Sequence, residues 1–296
     1  FLFLHNFIYL MKQEIDPWGS FEIKDYRKLS SDFGIDGIDQ KKIPKKHHYF
    51  TRGIIFGHKD LPIVLDAARK KKPFAMLTGL MPSGKFHFGH KMVVDEMIFF
   101  QELGAECYIT VADVESYLTR NISLEQAKKT AVEEYLINYI ALGLKPRKTK
   151  VYFQSSGPRE YMTFSKLIAK KTTINELRSI YGELSNEKII SSLTQVADIL
   201  YPQLDRGPRP TVVPVGVDQH PHISLSRDIS GRLKSEYKFI LPSATFHKMM
   251  PGLMGKKMAS SDPDSAIFLT DTQKEVERKI KKYAFSGGQD TVEEHR

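Results

Sequence analysis

Two histidines, two glycines and a lysine crowd into the nine residues 82–90, PSGKFHFGH, directly after the apolar run FAMLTGL at 74–80. A strand before the turn and a helix after it would place it at the carboxyl edge of an open α/β sheet, where such sheets hold ligands. The helix then aims its unpaired N–H groups, about half a positive charge, at whatever fills the crevice. His87 and His90 could each donate a ring N–H to a phosphate oxygen, and Gly89 would let a base or ribose approach with no Cβ between. That is the chemistry of a nucleoside triphosphate cradle. Zinc is the competing use of paired histidines, but it needs further ligands, and the other histidine-rich spot, His220 and His222, has no cysteine beside it. The metal expectation is therefore none.

A second cluster, GKKMASSDPDS at 255–265, combines lysines, small hydroxyl residues and a glycine, so it could wrap a triphosphate with Lys257 as a mobile cation. The apolar stretch 187–204 carries Ser191, Gln195 and Asp198 at i, i+4 and i+7, one face of a helix. Polar groups buried on such a face need partners, and a bound ligand could supply one. A solvent-facing stripe is the alternative. Asp113 and Glu115 read as alternating along one face at the end of a strand, as a period of two requires.

Elements must hold these groups in place. Short apolar runs at 74–77, 107–112, 151–154 and 211–215 read as strands buried on both faces. Helical patterns lie between them: a stripe of Met92, Val93, Met97 and Phe100; a helix over 123–142 opened by a Ser123/Gln126 capping box and stopped by Gly143 and Pro146; a largely helical stretch 155–205; and a helix opened by Thr270 and Gln273. Alternation of this kind predicts an α/β fold, a Rossmann-like parallel sheet with helices on both faces. The expected domains are an N-terminal appended segment 1–72, a catalytic domain 73–245 with a helical insertion at about 155–205, and a region 246–296 holding the lysine loop and the start of a helical domain.

With 296 residues, 41% of them hydrophobic, the chain can bury a sizeable core. Cys107 is the one cysteine, so an internal disulfide and a CxxC zinc site are excluded, and the thiol count suits a reducing cytosol. FLFLHNFIYL, ahead of Met11, is too short to span a membrane and lacks the charged start and cleavage site of a signal peptide. It reads as an extension or an upstream start, or else as an ordered strand. Lys and Arg number 44 against 35 acidic residues, and the net charge of +9 favours a polyanionic partner through counterion release. The basic runs at 41–48, 69–72 and 145–150 could equally be solvated surface.

At this point a resemblance becomes visible. His87-Phe88-Gly89-His90 and Lys257-Met258-Ala259-Ser260-Ser261 resemble the HIGH and KMSKS motifs of class I aminoacyl-tRNA synthetases, with Ala259 in place of the first serine and Ser260 in place of the second lysine. The latter change, together with HHYFTRGIIFGHKDL (47–61), VDQHPHISLSRDIS (217–230), IFLTDT (267–272) and AFSGGQDTVEEHR (284–296), is similar to the tryptophanyl branch of archaeal and eukaryotic type. The tyrosyl relative is the alternative; PSGKFHFGH and ADVESYL (112–118) suit it too, but DQHPH (218–222) lacks its Arg-Lys pair. An HxGH nucleotidyltransferase, which would show no amino-acid dependence, and a non-catalytic synthetase-like binding paralogue are further alternatives.

The resemblance implies a ligase that activates L-tryptophan with ATP, bound with Mg2+, to tryptophanyl-adenylate and transfers the tryptophanyl group to tRNA(Trp). It implies His87, His90 and Lys257 in catalysis, and Gly89, Gly216, Asp218, Gln219, Met258, Ser260 and Ser261 as further ATP contacts. Glu115 and Gln219 would lie near the substrate ammonium group. Asp198 matches an aspartate that takes the indole N–H in the bacterial pattern, and Gln195 a glutamine of the eukaryotic one. Leu77 and Thr110 stand where the eukaryotic pattern has an indole-binding tyrosine and a glutamine, so those two contacts do not carry over. A cytoplasmic homodimer joined through the helices of 91–142 is also implied. Relatives continue past EEHR into an anticodon-reading helical domain, so the chain reads as C-terminally truncated, with adenylate formation retained and tRNA charging weak.

Overall fold

The computed structural model describes residues 17–18, 25–255 and 257–284; FLFLHNFIYL and nearly all of AFSGGQDTVEEHR lie outside the described residues. The centre is a seven-stranded sheet in the order β1-β2-β7-β6-β3-β4-β5. Its strands are β1 (Asp36–Gly37), β2 (Ile55–Lys59), β3 (Ala75–Leu80), β4 (Glu106–Val111), β5 (Thr149–Phe153), β6 (Thr211–Gly216) and β7 (Ser243–His247). β7, β6, β3, β4 and β5 are mutually parallel, while β2 pairs antiparallel with both β7 and β1.

The four expected strands are all present, displaced by a few residues at their ends. Three others were not foreseen. β1 and β2, from within the first 72 residues, complete the sheet and make it mixed, and position 245 falls inside β7.

Alternation along the strands feeds two separate cores, one per face of the sheet. Ala75, Leu77, Tyr108 and Val213 pack on one side, with residues of helices Arg159–Leu167, Ile174–Tyr181, Asn186–Arg206 and His220–Arg232. Met76, Leu80, Cys107, Ile109, Val111 and Val212 pack on the other, with residues of Leu61–Arg69 and Phe88–Glu102. A strand covered on both faces needs apolar residues at every position, which is why these segments read as unbroken apolar runs. Each large side chain so buried stabilises the fold by roughly 1.5–3 kcal/mol relative to exposure.

The chain leaves β3 for β4 and β5 on one side and returns to β6 and β7 on the other, so the order reverses between β3 and β6. There the ladder is short. It pairs only Ala75 with Thr211 and Met76 with Val212, and stops just before Pro214, which has no N–H to extend it. The carboxyl ends of β3 and β6 therefore part, and the crevice expected at such a switch point opens between them.

Local signals held unevenly. Ser123 caps its helix by accepting from the Gln126 N–H, but the Gln126 side chain donates to Thr130 instead of closing the box. Beyond it, Ala131–Leu136 widen to π-helical hydrogen bonding, a distortion common beside functional sites, and Tyr135 of this turn lines the crevice. The last helix, Gln273–Tyr283, opens with Thr272 and Glu275 as a complete capping box, two residues later than expected.

Candidate active site

His87 is the N-cap of the helix Phe88–Glu102, and it and His90 cap that helix together. Nδ1 of His87 accepts the Gly89 N–H at 3.0 Å, and Nδ1 of His90 accepts the His87 N–H at 3.2 Å. The rings stack with centroids 3.7 Å apart. Because both Nδ1 atoms accept, both ring protons sit on Nε2. Burial, reinforced by the charge of Lys257, lowers His87 to about 4; burial and the neighbouring His87 hold His90 well below its usual value. The pair therefore presents neutral N–H donors at pH 7. Gly89 has a different use from the one expected: a Cβ there would stand 2.8 Å from Cε1 of His87, so its space belongs first to the folded-back imidazole.

A histidine whose value is depressed in the fold binds its proton more readily once unfolded, so its contribution to stability is complete above about 6.5 and is lost as pH falls toward 4. His87→Asn should make stability less sensitive to acid between pH 6.5 and 4 than in the wild type. Urea unfolding of both proteins across that window reads the difference; parallel curves would remove this account of His87.

The loop after β7 docks on the same turn. Ser260 Oγ donates to the Lys85 carbonyl at 2.9 Å, and a Cβ on Gly84 would lie 2.8 Å from Cβ of Ser260. The Met258 N–H returns to the Met250 carbonyl at 2.9 Å, and the Leu269 N–H reaches the Phe86 carbonyl at 3.0 Å beside a bridge between His87 and Phe268. Buried Lys279 fixes the base of the loop from the last helix, donating to Ala266 O at 2.9 Å and to Asp271 at 2.6 Å. Nζ of Lys257 lies 3.0 Å from a carboxylate oxygen of Asp218, just past β6.

All thirteen residues expected at the site line one cavity of about 580 Å3: His87, Gly89 and His90; Lys257, Met258, Ser260 and Ser261; Gly216, Asp218 and Gln219; Glu115, Gln195 and Asp198. Glu115 arrives there by another route than a strand's alternation. Asp113 and Glu115 stand in the first turn of the helix Asp113–Arg120, two residues apart on a helix and so on different faces. Asp113 accepts from the Ser155 N–H and hydroxyl, tying β5 to that helix. Glu115 turns inward, where Trp18 Nε1 donates to Oε1 at 3.0 Å and Gln195 Nε2 to Oε2 at 2.6 Å.

Asp198 is almost completely buried and accepts from Tyr161 Oη at 2.7 Å, Gln154 Nε2 at 2.8 Å and Tyr152 Oη at 3.4 Å. Burial pushes it up to about 7 against the pull of those bonds. A carboxylate has about four acceptor positions, so it keeps room for one more donor. Thr110 donates to Tyr152 at the base of this network, and Leu77 lines the cavity. Ser191 does not join it; it is buried away from the cavity, its hydroxyl without a hydrogen bond partner.

Other lining residues escaped the sequence reading: Trp18, Arg120, Tyr135, His222 and His247. Buried Glu96, on the first-motif helix, holds His247 Nδ1 at 3.1 Å and accepts from Thr245 at 2.7 Å. The one available signal for that pair was a carboxylate on the stripe between Met92 and Phe100, where an apolar residue would serve the core better.

The family model described as tRNA synthetases class I (W and Y) matches residues 69–295. The chain belongs to the class I tRNA synthetases. Among relatives of this synthetase, the tryptophan--tRNA ligase of Methanocaldococcus jannaschii is 46% identical over 292 residues, covering 96% of this chain and 78% of that enzyme. The crystal structure of tryptophanyl-tRNA synthetase from Aeropyrum pernix has a TM-score of 0.85 at 46% identity, with 95% of this chain and 78% of that one covered. A tryptophanyl-tRNA synthetase from Encephalitozoon cuniculi, bound to tryptophan, is similar at a TM-score of 0.79 and 27% identity, with 92% of this chain and 79% of that one covered. The synthetase fold thus has the class I Rossmann-like sheet with its two motifs facing one hollow.

Proposed function

We propose that this synthetase activates L-tryptophan with ATP and transfers it to tRNA(Trp). The observation that carries the reading is one cavity lined both by the imidazole N–H donors and Lys257 and by the buried carboxylates Glu115 and Asp198. The names of the relatives, tryptophan--tRNA ligases, support tryptophan as the amino acid.

In the first step an oxygen of the tryptophan carboxylate attacks the α-phosphorus of ATP in line; the bond to the bridging oxygen breaks, giving tryptophanyl-adenylate and pyrophosphate. No general base is needed, since that carboxylate is ionised at pH 7. The protein's part is positioning and charge stabilisation. His87 and His90 present Nε2–H groups to phosphate oxygens, Gly216, Asp218 and Gln219 stand beside the nucleotide, and Lys257 moves from Asp218 onto the departing pyrophosphate. Magnesium comes with the triphosphate. Glu115 takes the substrate ammonium, a charge-assisted contact, and Asp198 takes the indole N–H. In the second step a ribose hydroxyl at the tRNA terminus attacks the activated carbonyl carbon, losing its proton and expelling AMP.

A cytoplasmic homodimer belongs to the same reading. Val132, Ile137 and Ile140, within the expected interface 91–142, are about half exposed, as apolar residues covered by a second copy would be. The net charge of +9 suits a tRNA partner.

The decisive assay is ATP/pyrophosphate exchange with each of the twenty amino acids. Tryptophan alone should stimulate it. Stimulation by tyrosine alone would assign the sister activity, and none by any amino acid would assign a binding role.

A further inference from the structure

The substrate-side carboxylate Glu115 is fully buried and held by two neutral donors, one on each oxygen, Trp18 Nε1 at 3.0 Å and Gln195 Nε2 at 2.6 Å. Gln195 comes from the helix Asn186–Arg206 of the catalytic body, whereas Trp18 comes from upstream, ahead of every strand among the described residues. Its ring is braced on three sides. Tyr181 lies 5.2 Å away and the His222 edge 5.3 Å away, these two joined by a 2.8 Å hydrogen bond, while Lys188 Nζ stands 5.3 Å from the indole centroid. A ring wedged between three helices has its N–H direction fixed. Each carboxylate oxygen accepts two hydrogen bonds, so one neutral donor per oxygen orients the group and leaves places for an ammonium.

We infer that Trp18 is a positioning residue of the amino-acid site: its indole N–H and the Gln195 amide clamp Glu115 so that the free lone pairs meet the substrate's ammonium group. The inference rests on the reading of Glu115 as the ammonium acceptor. It makes the segment ahead of the sheet part of the recognition machinery, and it separates two duties inside one site. Trp18 serves the amino group, and Asp198 the indole.

Trp18 acts through Glu115, so the expected effects are selective. In ATP/pyrophosphate exchange, Trp18→Phe should raise KM for tryptophan about tenfold to a hundredfold, the range for a lost hydrogen bond to a charged group. KM for ATP should not change. Indole-3-propionate, which is tryptophan without its amino group, should inhibit wild type and variant with the same Ki, because it makes no use of Glu115. An unchanged or lower KM for tryptophan, or an equal loss for indole-3-propionate, would overturn the inference.

Glu115→Gln separates failure of the inference from failure of its premise. If that variant keeps the wild-type preference for tryptophan over indole-3-propionate, the ammonium reading of Glu115 falls. If it erases the preference and Trp18→Phe does not, only Trp18 is misassigned.

A second measurement needs no substitution. Trp18 is the one tryptophan in the chain, so 5-fluorotryptophan incorporated biosynthetically gives a single 19F resonance. Saturation with unlabelled tryptophan should leave it at a buried-ring shift, perturbed but not released. Movement to the value of a solvent-exposed indole would mean that Trp18 vacates the substrate's own place, which overturns the positioning role.

Discussion

Lys257→Ala is expected to slow tryptophan-dependent ATP/pyrophosphate exchange by about 10²- to 10³-fold, the cost of one donor removed from a preorganised charge-stabilising site. The field of this lysine adds to burial in depressing both stacked histidines. In the ligand-free arrangement it is held 3.0 Å from Asp218, and its side chain keeps more than a third of its surface exposed. With its ammonium so open to water and salt, this half of the pair is partly screened. A triphosphate entering beside it offers far more charge, so leaving Asp218 is easy, and the ion pair with phosphate strengthens chiefly as pyrophosphate departs. The loss should therefore fall on kcat. Equilibrium binding of tryptophan, read by calorimetry, should change little, since Lys257 pairs with Asp218 and takes no part in the hydrogen bonds of Glu115 or Asp198. Exchange at the wild-type rate would remove the lysine from the reaction.

Asp198→Asn carries the second large effect, on the amino acid. The carboxylate takes three hydrogen bonds from Tyr161, Gln154 and Tyr152 and has one acceptor position left. An amide in its place turns one acceptor into a donor facing donors, and buried polar groups left unpaired cost roughly 1–3 kcal/mol each. KM for tryptophan should rise by about 10²-fold or more, with a lower Tm and a near-normal KM for ATP. The sulfur analogue of tryptophan that lacks the indole N–H, β-(3-benzothienyl)alanine, is the control: its weaker activation should differ much less between wild type and variant. Protonation should mimic the substitution in part. Burial has pushed Asp198 up to about 7, so KM for tryptophan in the wild type should fall as pH rises from 6 to 8 and the better acceptor forms. In Asp198→Asn that slope should vanish. A flat wild-type profile would mean that the indole is read elsewhere.

Two turns of the site were legible because their chemistry sits at strand ends, and strand ends can be read from where an apolar run stops. PSGKFHFGH follows β3, and Val217 to Gln219 follow β6, as the pattern required. Glu115 lines the cavity, but not for the reason the sequence suggested. Two acids separated by one residue read as a strand's period, but the chain had already turned into a helix at Asp113, and only packing against Gln154 and Trp18 decides which acid faces inward. Trp18 itself carried no local signal, since its significance lies in a partner 97 positions away. β2 was passed over because its bulge between Ile55 and Gly57 breaks the alternation that marks a strand. Glu96 and His247 were invisible for a related reason: each looks like a flaw in an apolar stripe until the other is seen opposite it.

The loop that bears Lys257 doubles back on itself: Pro251 bridges to Lys257, and the Met258 N–H meets the Met250 carbonyl. The backbone beneath the lysine is thus moored, and what is left to travel is its long side chain, like the jib of a crane on a fixed base. Its reach is then a matter of rotation about four carbon–carbon bonds, so an added residue between 251 and 257 would shift the base and carry the ammonium tip off its mark.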